Sequence, residues 1–96
     1  MTMATDSRHL TADSIPRLWR MTRLHFDPVR QRQVLLYPEG AVLLNDTGAA
    51  ILELCNGSHT VGQIASILTE RYHADVSADV TEYLNLMVER ELIRVG

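Results

Sequence analysis

The 96 residues contain a single cysteine, Cys55. One thiol excludes an internal disulfide framework and a cysteine-based zinc cluster. Lysine is absent: all nine basic residues are arginines, set against twelve carboxylates for a formal net charge of −3. Nonspecific binding to a phosphate backbone needs the opposite balance. Aromatic residues make up only 5% of the chain, so the core must be aliphatic. The five glycines are scattered among turn and cap positions and form no phosphate-cradling loop. No apolar run approaches the ~18 residues of a membrane span. The opening segment carries arginine but lacks the apolar block of a secretory signal. These absences lead to the expectation of a soluble cytoplasmic protein, too small to house an elaborate enzyme site unaided.

What is present is 46% hydrophobic residues, the composition of a globular domain, at the length of one domain. Charge is split along the chain. Residues 1–32 hold six arginines and three carboxylates; residues 33–96 hold three arginines and nine carboxylates. Residues 1–14 are polar and read as a disordered tail, leaving 15–96 as a single domain.

Ile15-Pro16 opens the ordered part, since proline suits the start of a strand. Leu18 to Phe26 reads as one strand whose alternation is not clean, through two covered faces or a bulge. Asp27-Pro28 is a turn. Gln33 to Tyr37 is a second strand, Pro38-Glu39-Gly40 a tight turn, and Ala41-Val42-Leu43-Leu44 a short, wholly apolar third strand. At Asn45 the apolar period changes from two to about 3.6. Asn45, Asp46 and Thr47 all suit a helix start, and Ile51, Leu54 and Cys55 share one stripe. Asn56-Gly57 ends that helix. Thr60 and Gln63 have the spacing of a capping box, and Val61, Ile64, Ala65, Leu68 and Tyr72 line the second helix. Ser77 is the expected cap of a third helix, with apolar stripe Val80, Tyr83, Leu84, Met87, Val88 and Leu92. Arg90 and Arg94 fall near its end, where the helix dipole favours cations. Three strands followed by three helices, the first two helices joined by a short glycine-containing turn, predict a winged-helix-like α+β domain with an antiparallel sheet.

No residue set supports catalysis. Cys55 lies on an apolar stripe, so a buried core role is expected. His9, His25, His59 and His73 are too scattered to form a helical metal site, and no metal ligand set is assigned. Glu89 and Glu91 point to different helix faces. DNA recognition needs basic or amide side chains on the recognition helix, yet the third helix offers Asp79, Glu82, Glu89 and Glu91. Strand three is different: Leu43 and Leu44 are both apolar, so both of its faces seek cover. If it forms the sheet edge, its unpaired backbone groups can accept a guest strand.

The stretch Val34-Leu35-Leu36-Tyr37-Pro38-Glu39-Gly40-Ala41-Val42-Leu43-Leu44-Asn45, followed by Ile51-Leu52-Glu53-Leu54-Cys55-Asn56-Gly57 and Thr60-Val61 with Ile64, resembles the coenzyme PQQ (pyrroloquinoline quinone) synthesis protein D family. Pro16-Arg17-Leu18, Arg23-Leu24 and Asp27 resemble the family's first strand. The likeness covers about residues 15–95. It implies three strands followed by three helices. It also implies a peptide chaperone and adaptor, a stand-alone recognition element for ribosomally made, modified peptides, with no catalysis and no cofactor of its own. Such a protein binds the PQQ precursor peptide and presents it to the radical S-adenosylmethionine enzyme that cross-links a Glu and a Tyr in it. The implied peptide contacts are Ala41, Val42, Leu43 and Leu44 on strand three, facing Tyr83, Leu84, Met87 and Arg90 on the last helix. The consecutive Leu86, Met87 and Val88 make that helix apolar over more than one face, which suits a bound peptide or a second copy in a homodimer. A recognition module for another modified peptide and a winged-helix DNA-binding regulator are the alternative readings.

Overall fold

The computed structural model describes residues 10–95. The chain runs through β1 (Pro16–Leu18), β2 (Arg23–Asp27), β3 (Arg32–Tyr37), β4 (Gly40–Leu43), α1 (Asp46–Glu53), α2 (Val61–Tyr72), α3 (Ser77–Glu89) and β5 (Ile93–Val95). Strands β2, β3 and β4 form an antiparallel sheet in that order, and β1 pairs antiparallel with β5 in a separate ribbon. The α+β class, the three-stranded antiparallel sheet and the three following helices are as expected.

Register explains which sheet face is buried. Leu24 pairs with Leu35 and Leu35 with Val42. This row turns inward: Leu35 is fully buried, and Leu24 and Val42 pack against the core cluster. Because successive side chains alternate, His25, Val34 and Leu43 form the row on the outer face, where Leu43 is half exposed and Val34 is itself buried. The three helices close over the inner row with Ile51, Leu52, Ile64, Leu68, Val80, Leu84 and Met87, all buried. Asn45 caps α1, its side chain accepting from the Gly48 N–H at 2.7 Å. The Thr60–Gln63 capping box on α2 forms as the spacing predicts.

Four expectations need correction. The single strand Leu18–Phe26 is two strands in two sheets. They are separated by a turn in which the Thr22 N–H and hydroxyl both reach the Trp19 carbonyl, at 2.8 and 2.7 Å. Its irregular alternation therefore arises from a change of sheet and not from a bulge. Ser77 does not cap α3: the N-cap is Val76, which makes no side-chain cap bond, and the Asp75 carboxylate accepts from the Ser77 N–H instead. Helix α3 stops at Glu89, with Glu91 in the left-handed region (φ 63°), so Leu92 and Arg94 lie beyond the helix and Arg94 is in β5. Finally, residues 10–14 are not part of a free polar tail. Leu10 is buried, the Val61 and Gly62 N–H groups donate to the Ser14 and Ala12 carbonyls, and the Leu10 N–H donates to Asn85 Oδ1 at 3.3 Å. The rest of the expected tail, residues 1–9, lies outside the described residues.

Candidate functional site

Among the described residues strand β4 pairs only with β3 and forms one edge of its sheet. The Leu44 N–H donates to the Gln33 carbonyl at 3.1 Å, in line with the register that pairs Leu43 with Val34 and Val42 with Leu35. Hydrogen-bonded pairs alternate along an antiparallel ladder. Val42 and Gly40 therefore direct their backbone groups at β3, while Ala41 and Leu43 turn their N–H and C=O outward. The edge offers four backbone hydrogen-bonding groups and no charged side chain. The Leu43 side chain is half exposed on the outer face of the sheet.

The chain passes from β4 directly into the wall of a cavity of about 640 Å³. One wall is the start of α1, with Asn45, Thr47, Gly48 and Ile51; the other is a face of α3, with Asp79, Glu82, Tyr83, Leu86 and Glu89, and Asn85 beside them. Gly48 is what lets these walls approach. A Cβ there would come within 3.0 Å of the Tyr83 hydroxyl and 3.1 Å of Asn45 Oδ1, so a larger residue would push the ring away. Burial raises the Tyr83 phenol pKa, and the positive charge of Arg90 pulls it the other way. Leu86 lies 48% exposed on this concave surface, an apolar side chain left half uncovered among the described residues.

The structure divides the eight residues expected to hold a peptide. Ala41 and Leu43 present the open edge, Val42 belongs to the same strand with its side chain against the core, and Tyr83 lines the adjoining cavity. Leu44, Leu84 and Met87 are buried at 2%, 0% and 1% exposure and form part of the core. Their side chains hold the fold and are not surfaces for a guest. Arg90 is exposed at the end of α3 and acts on the cavity through its charge near Tyr83. Leu86, Ile51, Glu82 and Glu89 also line the cavity, outside those eight. The one signal for them was the Leu86-Met87-Val88 run, in which Leu86 falls off the core stripe.

Chemistry elsewhere is sparse. Burial pushes the Cys55 thiol up to about 12, and its Sγ donates to the Ile51 carbonyl at 3.4 Å. Among the described residues no group of three histidine, cysteine or carboxylate side chains is placed to hold a metal ion, and no helix is long and apolar enough to cross a membrane. The site can therefore pair an extended backbone along β4 and seat its side chains against α1 and α3.

Residues 32–93 match the family model of coenzyme PQQ synthesis protein D (PqqD). A PqqA binding protein of Methylococcus capsulatus is 40% identical over 86 residues, covering 88% of this chain and 92% of that protein. The bifunctional coenzyme PQQ synthesis protein C/D of Methylorubrum extorquens is also 40% identical over 86 residues, which are 86% of this chain but only 23% of that longer protein. The solution NMR structure of the PqqD truncation of Methylobacterium extorquens PqqCD, a functional and stand-alone recognition element for ribosomally synthesized and post-translationally modified peptides, superposes with a TM-score of 0.79 at 36% identity. It covers 94% of this chain and 99% of that one. The crystal structure of PqqD from Xanthomonas campestris gives a TM-score of 0.55 at 32% identity, covering 88% and 98%.

Proposed function

The chain belongs to the coenzyme PQQ synthesis protein D family, and from that premise we propose that it is a precursor-peptide adaptor in PQQ biosynthesis. It binds the PqqA peptide by adding it as a strand to β4. The observation that carries this reading is the uncharged β4 edge, with the outward backbone groups of Ala41 and Leu43, running straight into the cavity between α1 and α3. A guest strand satisfies the edge groups, each hydrogen bond contributing about 1 kcal/mol, while side chains of one parity reach Tyr83, Leu86 and Ile51. The protein makes and breaks no covalent bond. It presents the bound peptide to the radical S-adenosylmethionine enzyme of the pathway, in the cytoplasm.

Titration of fluorescently labelled PqqA peptide into the protein tests the reading. Saturable binding with a dissociation constant on the order of micromolar or tighter is expected, with a scrambled peptide binding at least about tenfold more weakly. Equal binding of the two peptides, or of neither, contradicts it. A steep loss of affinity with salt for duplex DNA in place of peptide binding would favour the regulator alternative.

A further inference from the structure

The α3 wall of the cavity has a specific composition. Asp79, Glu82, Leu86 and Glu89 are spaced three, four and three residues apart, so they share one helix face. That face is three carboxylates around one apolar side chain. The facing α1 wall adds Asn45, Thr47 and Ile51, and no arginine or histidine lines the cavity among the described residues. Asp79 has a structural reason to be there, since a carboxylate in the first turn complements the helix dipole. Glu89 has the opposite. It is the last residue of α3, where a negative charge faces the negative pole, and the last turn holds no basic residue. Outside the lining, Arg90 brings positive charge near Tyr83, and the Arg32 side chain reaches the Leu44 carbonyl at 3.1 Å, next to Asn45. Glu89 is thus a carboxylate at an unfavourable helix end beside a half-exposed leucine.

We propose that the segment seated in this cavity carries a lysine or arginine next to an apolar side chain: the apolar group rests on Leu86 and the cation lies between Glu82 and Glu89. The inference rests on the peptide-binding reading and adds to it the chemical class of the guest. Acidic segments of otherwise suitable shape are rejected by the same carboxylates, so the rim sets specificity as well as affinity.

The test measures binding of labelled PqqA peptide, and of a PqqA variant with every lysine and arginine changed to glutamine, to the wild-type chain and to Glu82→Gln/Glu89→Gln. At about 50 mM salt the double variant should bind PqqA about fivefold more weakly, a difference that should shrink to under about twofold at 500 mM. The neutral peptide should bind both proteins alike. Glu89→Lys removes the unfavourable helix-end charge, so it should raise the melting temperature while weakening PqqA binding, a combination that a purely structural role for Glu89 does not produce. Equal affinity of wild type and double variant for PqqA at low salt overturns the inference and leaves the peptide-binding reading intact. An equal loss for the neutral peptide overturns it in the same way. Failure of the wild-type chain to bind PqqA overturns both.

Discussion

The sheet has two edges, and they are built from opposite chemistry. Strand β2 reads Arg-Leu-His-Phe-Asp, with a charged or titratable side chain at every second position; β4 reads Gly-Ala-Val-Leu, with none. Among the described residues both edges leave backbone groups unpaired. Charges along an edge deter addition of further strands, whereas an apolar edge without them leaves that addition open. Asp27 also ties the end of β2 into its turn, accepting from the Val29 N–H at 2.9 Å and pairing with Arg30 at 2.8 Å. Those contacts hold its carboxyl below the usual carboxylate range. The difference teaches that the fold guards one edge with charge and leaves the other without it, and the unguarded edge is the one that leads into the cavity.

The sharpest way to break this comparison is proline at outward positions. Leu43→Pro removes an outward N–H without taking a bond from the β3 ladder. PqqA affinity should fall at least about 30-fold while circular dichroism stays native. Phe26→Pro, its outward counterpart on β2, should leave affinity within about twofold. Equal losses from the two variants would show that the edges are not distinct. Next in size, Leu86→Ala should weaken binding about tenfold with thermal stability unchanged, because Leu86 is an uncovered anchor. Its neighbour Met87 is core, so Met87→Ala should cost about 2–5 kcal/mol of stability instead. Calorimetry and peptide titration together separate the two. A smaller effect is expected from making β2 resemble β4. Arg23→Val/His25→Val should self-associate at concentrations where the wild type stays monodisperse by light scattering.

The smallest effect on the comparison comes from pH, since both edges rest on one core. Folding raises the Cys55 pKa to about 12 from the ordinary thiol range. Between those values the unfolded chain has lost a proton that the folded chain keeps, so stability declines as pH rises through that window. It is fully present below the ordinary thiol range. Cys55→Ala should flatten the decline in alkaline urea melts and leave peptide affinity at neutral pH unaltered.

Much of this architecture was legible because local signals agreed. Strands β3 and β4, their hairpin, the α1 cap at Asn45 and the Thr60 capping box each carried a period or a cap residue of its own. The failures came where tertiary structure decided. Leu18 and Leu24 both pack on the core but from two different sheets, and the turn between them contains neither glycine nor proline. Strand β5 was hidden because Val88 and Leu92 continue a helical spacing, and the break at Glu91 uses a left-handed residue that is neither glycine nor asparagine. Leu10 gave one apolar residue in a polar stretch, too little to predict an arm bound to Asn85. At the site, the strand half of the expectation falls on an open edge of the sheet. The helix half pointed to the stripe containing Leu84 and Met87, which periodicity had already committed to the core, while the exposed wall lies on the adjacent stripe through Glu82, Leu86 and Glu89.

Amide hydrogen exchange, read residue by residue with and without PqqA peptide, tests the central claim most directly. Strand addition at β4 predicts that the outward N–H groups of Ala41 and Leu43 become protected on binding, while those of Leu24 and Phe26 on β2 keep their free-protein rates. Saturating peptide that leaves Ala41 and Leu43 unprotected, or that protects Leu24 and Phe26 instead, would contradict the account.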